Sequence, residues 1–289
     1  MGMRRSFLIL LVVLSAVACG SLAPTASSDA PETTVQTSSP TTEGPVAAPC
    51  LEGLNSFFGD GPLGSQSGDA ADAATITGLA MTPYEGCERL VVELAAASGA
   101  PATSLGETRA EFIRANGIVR VHLDPSITGT ALSDVVFGGS LIDRVYVVRD
   151  FDNSLFFDVH LSGPAVARFS EVSSPARLVV DLAPGGGEIR RAAHESFIVV
   201  MPVDDTLTPP VSVEGYGRTF EANVVIRARR DGNIVAEAYT TSTDYLETWG
   251  RFEVGLPADI TGNLELFIGE DSARDGAEQG VRLEVTVEG

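Results

Sequence analysis

The chain has 289 residues, with 39 acidic against 19 basic side chains and a formal charge of −20. Every cation is an arginine, because lysine is absent. A surplus of this size argues against nucleic acid and other polyanions as partners, since their binding needs clustered cations.

At the N-terminus, Arg4 and Arg5 precede an apolar run from Phe7 to Val17, which closes on Ala16-Val17-Ala18-Cys19. A short positive region, a short apolar stretch and small residues at the cut make residues 1–18 a secretory signal peptide. The run is shorter than the roughly 20 residues that a transmembrane helix needs. A cysteine directly after small residues resembles a bacterial lipobox. That resemblance implies a diacylated Cys19 as mature N-terminus, anchored at the extracytoplasmic face of the cell membrane. The alternative is an ordinary signal peptide with an unrelated cysteine. Loss of Arg4 and Arg5 would leave 17 arginines against 39 acids, a charge of −22.

Residues 19–48 are rich in Ser, Thr and Pro and lack apolar periodicity, so they read as a disordered tether. Whether it is O-glycosylated stays open. In an exported, oxidising setting Cys50 and Cys87 read as a disulfide pair. A thiol role or a metal role for them finds no CxxC spacing in support. Leu51 to Asp72 reads as a loop-rich lead-in to the first folded domain, residues 49–184. Five strands follow: Arg89–Ala95, Gly117–Leu123, Leu141–Val148, Leu155–Leu161 and Arg177–Leu182. Each is short, β-branched or aromatic, and several alternate apolar with polar residues. Thr108–Ala115 is the one helical candidate.

Ala183-Pro-Gly-Gly-Gly-Glu reads as a boundary, with residues 185–195 as linker and 196–289 as a second domain. Seven strands are expected there: Phe197–Met201, Val211–Gly215, Ala222–Ala228, Ile234–Tyr239, Gly250–Leu256, Leu264–Gly269 and Val281–Val287. Arg230-Asp-Gly-Asn supplies a hairpin turn. Seven short strands in one domain predict an immunoglobulin-like sandwich without the Cys-Trp-Cys core of antibody domains. The fold class is therefore all-β, with two β-sandwich domains after a signal peptide and a disordered tether.

Four stretches make the second domain resemble the immunoglobulin-like domain of bacterial spore germination proteins. They are Ile198-Val-Val-Met-Pro, Val213-Glu-Gly-Tyr-Gly-Arg-Thr-Phe-Glu-Ala-Asn-Val, Trp249-Gly-Arg-Phe-Glu and Gly269-Glu-Asp-Ser-Ala-Arg-Asp-Gly. On this reading Gly215 and Gly217 ease a bend, Phe220 and Val224 fill the core, and Trp249 covers one end of the sandwich. Gly86-Cys-Glu-Arg-Leu-Val-Val-Glu-Leu and Ser174-Pro-Ala-Arg-Leu-Val-Val-Asp-Leu make the first domain resemble an AMIN-like domain of actinobacterial lipoproteins. The resemblance implies a β-sandwich that directs envelope proteins to peptidoglycan. Neither an amidase domain nor the GerMN domain that often accompanies the second module is recognisable.

Catalysis finds little support. A nucleophile needs a base, usually histidine, within reach. Only His122, His160 and His194 exist, two within strands and one in the linker, and there is no Gly-x-Ser-x-Gly elbow. No HExxH or close histidine pair suggests zinc. Oxygen-rich loops at Asp150, Asp152 and Asn153 and at Glu270–Gly276 could suit calcium, but Asp-Gly is ordinary turn chemistry. No catalytic residue, cofactor or metal is expected. Arg109, Arg114, Arg144, Arg149 and Arg168 carry guanidinium forks that suit carboxylates such as those of peptidoglycan stems, although ion pairing would also explain them. The expectation is a non-catalytic envelope lipoprotein that binds peptidoglycan or a wall-associated protein. The alternative is an accessory subunit that localises or activates a separate wall hydrolase or transporter. Nothing in the sequence fixes the oligomeric state.

Overall fold

The computed structural model of the protein describes residues 49–52, 56–66 and 71–289. The signal peptide, lipidated Cys19 and tether expected from the sequence lie outside these residues. The first half contributes β1 (Gly61–Gln66), β2 (Ala73–Tyr84), β3 (Cys87–Ala96), β4 (Thr108–Ile113), β5 (Ile118–His122), β6 (Gly129–Thr130), β7 (Asp134–Val136), β8 (Ile142–Arg149), β9 (Leu155–Leu161), β10 (Ala165–Val172) and β11 (Arg177–Pro184). Alternation along these strands turns Leu90, Val92, Phe112, Val119, Val145, Phe157, Leu178 and Val180 into one buried core. That core lies between the sheet β10-β11-β3-β2-β6 and the run β1-β4-β5-β9-β8, with β7 paired on β8.

The second half supplies β12 (Ala193–Glu195), β13 (Ile198–Val200), β14 (Thr206–Leu207), β15 (Ser212–Gly217), β16 (Asn223–Arg230), β17 (Asn233–Thr241), β18 (Trp249–Gly255), β19 (Gly262–Asp271) and β20 (Glu278–Val287). The sheet β14-β20-β19-β16-β17 packs on β18-β15-β13-β12 around Ile198, Val213, Ile226, Phe252 and Leu266. Asp231 and Gly232, both at positive φ, close the β16–β17 hairpin, as the sequence led us to expect. The chain is all-β, with an immunoglobulin-like sandwich at its C-terminus.

The two sandwiches share a sheet. Trp249 and Gly250 of β18 pair in parallel with Val148 and Arg149 of β8, so one ten-stranded sheet runs through both halves. A third apolar cluster fills the junction: Ile118, Tyr146, Val148 and Phe156 from the first half, Val199, Met201, Tyr216 and Trp249 from the second. Tyr216 of β15 also reaches Arg120 of β5, although three strands separate β15 from β5 in the sheet order. The sheet must therefore curl back on itself, which its twist allows.

Several sequence expectations change here. Thr108–Ile113 is a strand, because Thr108, Ala110 and Phe112 alternate inward; only Arg114–Asn116 coils, as a short 3-10 turn. β1 and β2 occupy stretches read as loop or left unassigned. His194, read as linker, lies in β12 and pairs with Val199. Val224 fills the core, but Phe220 is 61% exposed, because Glu221 and Ala222 take left-handed φ values of 53° and 63° and turn the chain outward. Trp249 lies in the junction instead of capping a free end, with its ring 4.8 Å from Tyr146 and its Nε1 donating to Asp134 at 3.1 Å.

Cys50 and Cys87 form a disulfide with their Cα atoms 6.3 Å apart. Beside it, buried Asp181 accepts from Arg89 Nε at 2.6 Å and from Arg168 Nη2 at 2.7 Å. The same two guanidinium groups donate to the backbone carbonyls of Pro49 and Cys50. The start of the folded part is thus held by one covalent bond and by two cations that share one buried carboxylate.

Candidate functional site

The outward faces of β4, β5, β9 and β8 form a regular lattice. Register places Arg109 opposite His122, His122 opposite Phe156, and Phe156 opposite Val148. In the next row Glu111, Arg120, Asp158 and Tyr146 follow each other in the same way. The second sandwich covers the β9–β8 end of this lattice, burying Phe156, Asp158, His160, Tyr146 and Val148. The β4 end stays open, and there Arg109 is exposed.

The covered end is polar at its heart. Arg120 donates to Asp158 through Nε at 2.9 Å and through Nη2 at 2.8 Å, and Nη2 also donates to the Tyr216 hydroxyl at 2.7 Å. Tyr216 in turn donates to Asp158. Burial works against the Arg120 charge, yet the adjacent Asp158 and Tyr216 hold its pKa above the ordinary guanidinium value. Burial also raises the Tyr216 pKa well above its usual value. His160 is buried beside this group, its ring 4.9 Å from Tyr146, and its Nε2 has no hydrogen-bond partner among the described residues. Every charge here is spent inside the fold, so this end serves structure.

The open end forms a cleft of about 270 Å³, lined by Glu107, Arg109, His122, Leu123, Pro125, Asp152 and Ser154. β4 and β5 present Arg109 and His122, while the β8–β9 turn brings Asp152 and Ser154. His122 Nε2 lies 3.7 Å from Glu111 Oε1. Burial, reinforced by Arg109 and Arg120, depresses the His122 pKa, which leaves the ring neutral at pH 7. Asp152 accepts from the Ser154 amide and hydroxyl, and these bonds lower its pKa.

The five arginines singled out by the sequence now separate. Arg114 pairs with Asp60, Arg144 with Asp143, Arg149 with Asp244, and Arg168 with Asp181. Arg109 alone of the five has no carboxylate within ion-pair distance among the described residues. Its fork, exposed and without such a pair among the described residues, can take an external carboxylate, with neutral His122 as a second hydrogen-bonding group. Glu107 and Asp152 on the rim suit an amine on the same ligand. The two oxygen-rich loops have other partners: Asp150 pairs with Arg251, Asp271 with Arg227, and Glu270 accepts from the Phe220 amide.

The second sandwich carries the hairpin expected from Arg230-Asp-Gly-Asn and, on β18, the Trp249-Gly-Arg-Phe stretch. Residues 199–277 match the immunoglobulin-like domain of bacterial spore germination. The match runs from β13 to the loop before β20, so the matched stretch supplies Tyr216 and Trp249 to the junction. Arg109 and His122 lie outside it. No curated protein and no solved structure matches the chain.

Arg109 was one of five candidate arginines in the sequence, and nothing local to it sets it apart. The buried Arg120–Asp158–Tyr216 group was not expected. The alternation of β5 and β9 puts Arg120 and Asp158 on one face, yet their partner lies 58 residues beyond Asp158.

Proposed function

We propose that the chain is a non-catalytic, lipid-anchored protein of the bacterial cell envelope, held by Cys19 outside the membrane. Its first, AMIN-like sandwich binds the carboxylates of peptidoglycan stems or of a wall-associated partner. The observation that carries this reading is Arg109, a guanidinium in a cleft that pairs with no carboxylate among the described residues, on a chain where acids outnumber cations two to one. In such a chain an exposed arginine has carboxylates on offer, and the other four candidates have taken one. A planar fork held beside a neutral imidazole suits a carboxylate in bidentate geometry. Acids on the rim discourage simple polyanions and favour a ligand that carries an amine as well, as peptide stems do.

The test is co-sedimentation of the fragment from Pro49 onward with purified sacculi at modest and high salt. Saturable pelleting supports the reading. Absence of pelleting at both salt concentrations sinks the peptidoglycan form of it and leaves a protein partner to be sought.

A further inference from the structure

A second concave surface lies on the outer face of the C-terminal sandwich, within the matched module and away from the Arg109 cleft. It encloses about 310 Å³ between Phe220, Asn223, Val225, Tyr239, Glu270 and Asp271. Along the strands, Tyr239 of β17 lies opposite Val225 of β16, Val225 opposite Gly269 of β19, and Gly269 opposite Gly280 of β20. Val225 is itself buried, and Gly269 and Gly280 have no room for a Cβ because each would meet the backbone of the facing strand. Tyr239 stands at the edge of this row and is 67% exposed.

The other wall is built at a cost. Phe220 could have turned into the core, as Val224 does. Instead Glu221 and Ala222, neither of them glycine, both adopt positive φ, a conformation that non-glycine residues rarely take. The turn is tied down by the Phe220 amide, which donates to Glu270. A strained turn that holds a phenylalanine in water, facing an exposed tyrosine across a groove, is the arrangement of a contact surface. Strained backbone clusters at such sites.

Charge selects the occupant. Glu270 and Asp271 line the groove, and Glu221 lies on the turn above it. Arg227, the cation that pairs with Asp271, is already held by Glu237, Asp271 and Glu278. Asp271 is compensated by Arg227, so the groove offers two aromatic faces and the Glu270 carboxylate, which accepts from an uncharged amide and pairs with no cation among the described residues. Aromatic faces attract ammonium and guanidinium groups, more strongly still beside a carboxylate. A second copy of this chain is a poor occupant, since each copy carries −20 and no lysine. Anionic polymers and anionic lipid surfaces are repelled for the same reason.

We infer that the groove between Phe220 and Tyr239 docks a partner-protein segment that presents a basic side chain next to an apolar or aromatic one. The cation sits between the aromatic rings and the Glu270 carboxylate, and its apolar neighbour packs against the exposed faces of Phe220 and Tyr239. The second sandwich then recruits a basic protein, independently of what the Arg109 cleft binds.

The experiment is calorimetric titration of the full-length protein with three probes. These are the amidated peptide Lys-Phe-Lys-Phe-Lys, its counterpart with glutamate in place of lysine, and a tetramer of N-acetylglucosamine. The lysine peptide is expected to bind saturably. Phe220→Ser and Tyr239→Ala should each weaken it about tenfold, as loss of an aromatic anchor does at interfaces, and Glu270→Gln should weaken it less. Both aromatic side chains are more than half exposed, so the variants are expected to keep the wild-type melting temperature, which is checked alongside. Arg109→Gln should leave the titration unchanged, which keeps this result separate from wall binding. Three outcomes overturn the inference: no saturable binding of the lysine peptide, equal binding of the glutamate peptide, or affinity unmoved by Phe220→Ser and Tyr239→Ala. Binding of the sugar tetramer that depends on the same two aromatics, with none of the peptide, would assign the groove to a glycan instead.

Discussion

Tyr216 of the second sandwich and Arg120 of the first meet on one buried carboxylate, Asp158, and each also bonds the other. Asp158 is fully buried, and the Arg120 side chain is 13% exposed. Neutralising Asp158 leaves the Arg120 charge with the Tyr216 hydroxyl but without its carboxylate, whereas loss of the Tyr216 hydroxyl leaves the Arg120–Asp158 pair in place. Asp158→Asn is thus expected to cost about 3–5 kcal/mol, the usual penalty for stranding one buried charge. Tyr216→Phe should cost about 1–3 kcal/mol. Urea unfolding of the single and double variants should give a double-mutant coupling well above zero. Additive effects would mean that the three groups do not act as a unit.

The ionisation of His160 and that of Glu171 pull stability in opposite directions. Burial depresses the His160 pKa to about 4, against about 6.5 for an unfolded histidine. Between those values the unfolded chain binds a proton that the folded chain refuses. His160 therefore withdraws stability as the pH falls from 6.5 toward 4, by roughly 3 kcal/mol at most. Burial raises the Glu171 pKa to about 7, while Thr108 donates to its carboxylate. The folded chain holds that proton up to about pH 7, whereas an unfolded glutamate loses it near 4.5. Stability linked to Glu171 is present below 4.5 and is lost as the pH rises through 7. The wild type should thus show a muted pH profile. His160→Phe should gain stability relative to wild type on going from pH 7 to pH 5. Glu171→Gln should gain it on going from pH 5 to pH 8. Parallel unfolding curves for the three proteins would contradict both assignments.

The Cys50–Cys87 bridge spans 37 residues of sequence, which by the chain-entropy relation is worth about 3–4 kcal/mol. Replacing both cysteines with alanine should lower the unfolding free energy by that amount. The Arg89 and Arg168 bonds to the backbone of residues 49–50 should keep the lead-in docked in the native state. An unchanged midpoint would show that the bridge closes little entropy.

Gly215 lies under β13, where an added Cβ would run into the Val199 carbonyl oxygen and the Phe252 ring. Gly215→Ala is expected to destabilise by about 1–3 kcal/mol through overpacking, whereas Gly217, with only ordinary contacts around its Cβ position, should tolerate alanine better. Equal melting temperatures for the two variants would refute this account of Gly215.

The second sandwich was legible in detail because its strands announce themselves: each alternates cleanly or carries a β-branched run, and Asp231-Gly232 marks the hairpin. The first sandwich was legible only in its strongest strands. β2 escaped because Ala-Ala-Thr-Ile-Thr-Gly-Leu-Ala-Met-Thr-Pro-Tyr has little β propensity of its own and is held by pairing with β3. β4 escaped because six residues of mixed polarity fit either period. The junction was hidden for a different reason. Gly185-Gly186-Gly187 reads as a break, and nothing local to Trp249 or His160 says that the other half of the molecule will cover them. Phe220 misled because apolar residues usually go inward, and the left-handed turn at Glu221 and Ala222 has no glycine to reveal it.

The most direct test of wall recognition is to measure saturation binding of the wild-type protein and of Arg109→Gln to sacculi, before and after amidation of the stem carboxylates. Arg109 is exposed and pairs with no carboxylate among the described residues, so the variant should fold and melt as the wild type does. Wall recognition through Arg109 predicts at least about tenfold weaker binding for the variant on native sacculi, the loss of one charge-assisted pair. It also predicts that amidation weakens the wild type to the level of the variant. Equal binding of both proteins to native sacculi, or wild-type binding untouched by amidation, would contradict it.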